Sequence, residues 1–376
     1  FYNSSFTIYF LFFFLAAVFA GLSEENKKEF SLNPSSIFTL GATFVFTLAF
    51  IFGLGILFLN GQRYLAETNY VKGVALLTAG KSDEGAAKLE DAARMNPRVD
   101  TYFTELSGVY LAKLQGVLND KNMPEDEKTR RGQLLVSNSI NAAKIATDIN
   151  PKNASNWLAR GLVYQNLIRL LPDSAQWAIN SYEEAAKLEP TNPYYPNQQG
   201  MVYMIKAATV SKEDASQKSL DYAEAKKKFD KAIELKSDYA AARFQIAMLY
   251  QVQGKTTQEA AALEEAIKNS PDDVGVLFQA GVMYYQAGNY TRARQTLEAA
   301  IALAPNYANA LYYLGLAYSR LGEKEKAISQ FQKIGQLNPE NAEVKKIISN
   351  LQAGKAALDG IAQETPQEAP VKEEEE

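Results

Sequence analysis

The chain has no cysteine and no histidine in its 376 residues. Those absences exclude disulfides, thiolate nucleophiles, Cys/His zinc sites, histidine general bases and Ser-His-Asp triads. They do not fix a compartment, because a disulfide-free domain can live on either side of a membrane. A basic excess is missing as well: the formal charge is -4 and the pI near 5.4. A general nucleic-acid binder would carry a basic face, so nucleic acid is not an expected partner.

Charge is also missing from two apolar stretches near the start, residues 6–22 (FTIYFLFFFLAAVFAGL) and 37–59 (IFTLGATFVFTLAFIFGLGILFL). A bilayer core of roughly 30 Å needs about 20 apolar residues in a helix, because every backbone amide must be satisfied internally. Residues 37–59 meet that length, and the first stretch extends back toward Phe1 with Phe10, Phe12, Phe13 and Phe14 suited to lipid. The expectation is a transmembrane hairpin over 1–60, with spans at about 4–22 and 37–59 and the bilayer as partner. A cleaved signal peptide fits less well: the chain opens on Phe, has no basic leader, and meets a second span 14 residues after the first. A piece of a longer multi-span protein is the better expectation. Lys27 and Lys28 lie in the short loop, against Arg63 and Lys72 after the second span. That near balance leans toward a cytoplasmic loop and an exoplasmic C-terminal domain.

Beyond residue 65 the chain repeats itself. The clearest unit is 308–341, with Leu311, Leu314, Gly315, Tyr318, Gly322, Ala327, Phe331, Ile334 and Pro339. Unit 274–307 keeps the register through Gly281, Tyr284, Gly288, Ala293, Leu297, Ala300 and Pro305, and unit 240–273 through Ala247, Tyr250, Gly254, Leu263, Ala266 and Pro271. In the latter Glu259 stands at position 20, where the neighbouring units have alanine. Unit 193–239 keeps Gly200, Tyr203, Ala225, Phe229 and Ala232 with about 13 extra residues around 211–219. Unit 154–192 keeps Trp157, Gly161, Tyr164, Ala178, Tyr182, Ala185 and Pro190 with five extra. Unit 100–153 is looser, with Tyr110, Ala146 and Pro151 and 20 extra residues near Gln115 to Arg131; unit 66–99 returns to 34 residues with Gly73, Leu76, Gly80, Leu89, Ala92 and Pro97. The extra residues are expected in lengthened turns.

This spacing resembles the tetratricopeptide repeat (TPR), a helix-turn-helix unit. Small residues at positions 8, 20 and 27 let two antiparallel helices approach closely, and large residues at 4, 7, 11 and 24 fill the layer between them. Proline near position 32 ends the second helix. The expected fold is therefore all-α: two N-terminal transmembrane helices, then a right-handed TPR solenoid of about seven repeats from 66 to 341 with a concave face. Residues 342–358 are expected to form a capping helix, and residues 360–376, rich in glutamate with two prolines, a disordered acidic tail.

Some motifs imitate chemistry. Ala75 to Ser82 ends in Gly-Lys-Ser and satisfies a relaxed phosphate-loop pattern, but such a loop follows a strand, and Gly80 falls in the turn between two expected helices. Gly254-Lys255-Thr256 repeats the accident at the equivalent turn. The pairs Glu183-Glu184 and Glu264-Glu265 read as solvated faces of second helices rather than acid/base pairs. No catalytic residue, cofactor, metal or nucleotide site is expected.

In TPR proteins positions 2, 5, 9, 12 and 13 of first helices line the concave surface. The resemblance therefore points to a partner-binding groove of Asn197, Met201 and Met204; Phe244, Met248 and Gln251; Phe278, Val282 and Tyr285; and Tyr312 and Leu316. The basic clamp that grips chaperone C-termini in some of these proteins is absent, since position 5 runs Tyr70, Thr104, Leu158, Asn197, Phe244, Phe278, Tyr312 and never lysine. A protein or peptide segment docked through its side chains is the expected partner. The order of apolar helices followed by repeats also resembles the C-terminal part of bacterial O-antigen ligase or polymerase-like membrane proteins with TPR tails. That resemblance implies a bacterial inner-membrane location, with any glycan-transfer site upstream of Phe1. Two functions follow: a membrane-anchored interaction scaffold, or the non-catalytic tail of a membrane glycan-transfer enzyme.

Overall fold

The computed structural model describes residues 37–171, 173–211 and 214–361. The expected span at 4–22 and nearly all of the expected acidic tail, residues 362–376, lie outside them. The described residues form fifteen helices and no strand, divided into a unit ending at Glu67 and a unit starting at Thr68.

In the first unit lies most of α1 (Ile37–Thr78). Along residues 43–59 nearly all of its side chains are exposed, with Phe46 at 77% and Phe52 at 72%. A helix that is apolar all round has no polar face to give to water. Of the two expected spans, one is therefore present among the described residues as a helix long and apolar enough to cross a membrane. That helix does not stop at 59. No proline interrupts it, and it continues through Gly61 and Gly73 to Thr78, its part from Thr68 supplying the first helix of the second unit.

The second unit is built from helix pairs. They are α2 (Ser82–Met95), α3 (Asp100–Asn119) with α4 (Glu125–Ile149), α5 (Ala154–Asn166) with α6 (Ser174–Leu188), and α7 (Tyr194–Thr209) with α8 (Ala215–Leu235). Then come α9 (Ala240–Val252) with α10 (Thr256–Asn269), α11 (Val274–Gln286) with α12 (Tyr290–Leu303), α13 (Ala308–Arg320) with α14 (Lys324–Leu337), and the last helix α15 (Ala342–Gln352).

Two local devices repeat along this stack. In the short turns a glycine takes a left-handed conformation, as at Gly288 (φ 77°), and the next residue's N–H returns to the helix, Asn289 N to Tyr284 O at 2.9 Å. Gly80 does the same, with Lys81 N donating to Leu76 O at 2.9 Å, so the phosphate-loop look-alike is a helix cap. At the other end of most pairs a proline follows, and the residue before it leaves helical geometry: Asn150 (φ -136°, ψ 81°) before Pro151 and Ala304 (φ -130°, ψ 86°) before Pro305.

Packing follows a socket pattern. In most repeats position 8 is glycine and the large buried residue at position 24 lies against its bare backbone; in unit 240–273 Ala247 stands there with Leu263 at position 24. A Cβ on Gly200 would meet Phe229 at 2.4 Å, on Gly161 Tyr182 at 2.5 Å, and on Gly281 Leu297 at 2.5 Å. Tyr182, Phe229, Leu297 and Phe331 are all fully buried. Burying each contributes about 1.5–3 kcal/mol before entropy is counted.

The longer repeats correct the expected lengthened turns. Helices α3 and α4 have 20 and 25 residues where α11 and α12 have 13 and 14, so most of the insertion after Gln115 is helix. Three acids open α4, and Lys128 bridges back to Glu125 at 2.9 Å. Helix α8 likewise has 21 residues, started by Asp214, whose side chain accepts from Gln217 N at 3.1 Å. In unit 154–192 most of the extra residues stay in the connection between α5 and α6, where Leu167 and Ile168 are buried. The capping helix is also shorter than 342–358. It ends at Gln352, and the following turns fold back under Asn350, which donates to Ala357 O at 3.1 Å and Asp359 O at 2.8 Å.

Glu259 sits in the socket that takes Ala293 and Ala327 in the next repeats, and it is 3% exposed. Burial raises its carboxyl pKa, against one hydrogen bond from Gln251 at 3.3 Å. A raised acid pKa means that the ionised form is disfavoured in the fold. The penalty grows as pH rises past the ordinary 4.5 and persists above the folded value. Glu259→Ala should therefore stabilise the repeat domain by about 1 kcal/mol at pH 7, and by less below pH 4.5. Urea titrations at two pH values check the sign; destabilisation at both would show that the carboxylate is well accommodated.

Candidate partner-binding groove

The residues assigned to the groove fall at three depths. Asn197, Phe244 and Leu316 are enclosed at 4–5% exposure. Phe244 and Leu316 belong to the long apolar core that runs from α9 to the residues after α15. For these three the structure shows packing inside the stack rather than an open surface, because adjacent first helices close over them. Met201, Met204, Gln251, Val282, Phe278, Tyr285 and Tyr312 are half-buried, and Met248 is exposed at 41%.

Helices α11 and α13 bring the aromatic members together. Tyr313, which lies outside the positions used for the assignment, is the joint: its ring centroid is 6.0 Å from Phe278, 5.8 Å from Tyr285 and 5.8 Å from Tyr312. All three contacts are edge-to-face, which suits the ring quadrupoles. Tyr307 and Tyr290 extend the group, 5.0 Å from Phe278 and 5.4 Å from Tyr285, with the Arg320 guanidinium 5.9 Å over Tyr290. These neighbours sit at positions 6, 34 and 17, so the first-helix rule passes over them; their run of tyrosines was the available signal.

The Tyr312 hydroxyl donates to Glu343 Oε1 at 2.7 Å, on α15. Burial, then this acidic neighbour, pushes its phenol pKa far up, so it stays a neutral donor. Its ring also meets Phe331 at 5.7 Å, tying it to the core. Met201 and Met204 belong elsewhere, against the cluster around Phe229 and Leu249. The groove thus has an aromatic part at α11 and α13 and a thioether part at α7, with Met248 on α9.

These residues place rings, thioethers and an amide on the first helices at half-buried or exposed positions. The tetratricopeptide-repeat family models match residues 214–274 and 284–351, and the described second unit is an all-helical TPR-like solenoid. Among solved structures, a tetratricopeptide repeat protein from Parabacteroides merdae is 18% identical, over 77% of this chain and 99% of its own, with a TM-score of 0.44. A thermophilic TPR protein of Thermus thermophilus is 17% identical, over 58% and 99%, at 0.40. YrrB, described as a TPR protein with an unusual peptide-binding site, is 20% identical, over 54% and 95%, at 0.33. No match was found among curated proteins. These comparisons give no support to a relationship with the O-antigen ligases.

Proposed function

We propose that residues 66–341 form seven tetratricopeptide repeats that act as a protein-binding scaffold, held at a membrane through α1. The observation that carries the binding part is the edge-to-face aromatic group of Phe278, Tyr285, Tyr312 and Tyr313, half-buried on successive first helices. Rings held in place by their neighbours lose little entropy when a partner covers them, and buried aromatics supply most interface energy. The partner is a protein or peptide segment, and the reading is one of binding rather than catalysis. The uncharged, exposed stretch 37–59 of α1 supports the anchor, with residues 6–22 as the second span in this proposal.

Phe278 and Tyr312 are poor probes, since their contacts with Tyr307, Phe331 and Glu343 make them part of the stack. Photo-crosslinking residues at Met248 and Val282, in the full chain in its membrane, test the groove directly. The expected result is one discrete polypeptide adduct at both positions and none from an exposed second-helix site such as Lys227. Equal labelling at all three would remove the groove as the binding surface. Extraction of the same membranes with alkaline carbonate tests the anchor: release of the chain would remove it.

A further inference from the structure

The row of groove positions does not stop at α13. Counted on in the same 34-residue register, Glu343 falls at position 2 of α15 and Lys346 at position 5, the position of Phe278 and Tyr312. Three residues apart, the two share one face of that helix. Glu343 is joined to the aromatic group through the Tyr312 hydroxyl at 2.7 Å. After α15 the chain turns back: Asn350 holds Ala357 O and Asp359 O, Ile361 packs against the core, and Lys346 Nζ donates to Gly360 O. Gly360 therefore lies on the groove row, one helical turn from the acid that touches Tyr312.

The lining there is cationic. At positions 2, 5, 9, 12 and 13 of α11, α13 and α15 stand two cations, Lys346 and Arg320, and one carboxylate, Glu343. Glu343 is taken by Tyr312, whereas Lys346 rests on a backbone carbonyl and exposed Arg320 on the Tyr290 ring at 5.9 Å. Neither cation forms an ion pair among the described residues. The sequence that follows has the opposite sign. Residues 362–376 (AQETPQEAPVKEEEE) hold six of the 43 acidic residues and one of the 39 basic ones, so the rest of the chain is close to neutral. They also hold Pro366 and Pro370, and proline segments suit aromatic-lined grooves because their backbone is already restricted.

We propose that residues 362–376 of the same chain occupy the aromatic groove, with the prolines against Tyr313 and Tyr285 and a glutamate on Arg320. The proposal rests on the groove being a binding surface and names an occupant for it. The reach suffices: a segment of this length spans at most about 50 Å, whereas Tyr312, Tyr313 and Tyr285 follow one another at 5.8 Å. Arg320 and Lys346 meet opposite charge. Tethered beside the groove, the segment is at an effective concentration in the millimolar range, so a partner has to displace it.

The probe is a fluorescein-labelled peptide of residues 362–376, titrated by anisotropy in detergent against the full chain and against a chain stopped at Ile361. The stopped chain should bind it, and the full chain should bind about tenfold more weakly because its own segment competes. In the stopped chain Arg320→Gln, on an exposed side chain, should weaken binding several-fold. Lys227→Gln, the same charge change on a second helix, should leave it unchanged. A photo-crosslinking residue at Val282 in the purified full chain should link to 362–376 within one molecule. No binding to the stopped chain, equal binding to both chains, or equal losses from Arg320→Gln and Lys227→Gln would overturn the proposal. A link between two molecules would overturn it too, giving the groove to the segment of a second copy. The groove itself has a separate fate: a partner adduct at Met248 and Val282 in the membrane would survive any of these failures.

Discussion

Gly315→Ala is expected to destabilise the repeat domain, although alanine is the better helix former by about 1 kcal/mol. The new Cβ would lie 2.7 Å from Phe331 Cε2 and 2.8 Å from its Cζ. Phe331 is fully buried between its own helix pair and Tyr312, so its ring has no free space to move into. Overpacking of this kind costs about 1–3 kcal/mol, and Gly315→Leu should reach or pass the upper end. Chemical denaturation followed by far-UV circular dichroism measures the loss. Phe331→Leu placed on Gly315→Ala should recover part of it, since a shorter side chain clears the added methyl. Recovery in that double variant is the specific signature. A neutral Gly315→Leu would mean that position 8 does not face position 24.

That pairing was legible from sequence because a 34-residue register fixes which residues of a helix pair meet. Gly315 with Phe331 and Gly281 with Leu297 follow from spacing alone. The register tells how many residues are inserted, but not the form they take. In α3 and α4 the extra residues extend both helices together, because Glu125 to Arg131 are good helix formers and the lengthened helices pack on one another. Hydropathy likewise marked 37–59 and missed the helical continuation to Thr78, since it reports where apolar residues end and a proline-free polar segment can stay helical beyond them.

Depth was the other thing the register could not supply. Position 5 places Phe244, Phe278 and Tyr312 on the same side of successive first helices, yet Phe244 is enclosed while the other two are half open. How far the next first helix covers a side chain depends on the residues at the contact. Next to Phe278 they are the rings of Tyr307 and Tyr313, whereas Phe244 belongs to the buried aliphatic core cluster. Tyr313 escaped notice for a related reason: a list of positions names the typical lining, and this chain adds a tyrosine beside it.

The larger loss of stability from a polar change is expected at Asn156. This buried side chain closes the junction between the second and third repeats. Its Nδ2 donates toward Asp100 Oδ2 at 2.8 Å, Ala146 O at 3.0 Å and Asn150 O at 3.1 Å, and its Oδ1 accepts from Thr104 Oγ1 at 2.9 Å. Asn156→Leu preserves the volume and removes every one of these bonds, although each partner keeps a second one: Ala146 O from Asn150 N, Asn150 O from Asn153 N, the Thr104 hydroxyl with Asp100 O, and Asp100 Oδ2 from Asn153. Hydrogen bonds contribute about 0.5–1.5 kcal/mol each, so losing four together is expected to cost about 2–4 kcal/mol. The pH dependence carries a second signature. Burial pushes the Asp100 carboxyl up, but bonds from Asn153, Asn156 and Asn150 outweigh it and hold the pKa below the ordinary 3.8. A depressed acid pKa contributes stability that is present above 3.8 and is lost as pH falls through the folded value. Asn156→Leu removes one of those bonds, so the variant should lose less stability than the wild type between about pH 5 and pH 3, while starting lower. Urea unfolding at pH 7, 5 and 3.5 separates the two effects. A variant that loses as much on acidification as the wild type would show that Asn153, Asn150 and the Thr101 N–H hold Asp100 ionised without Asn156.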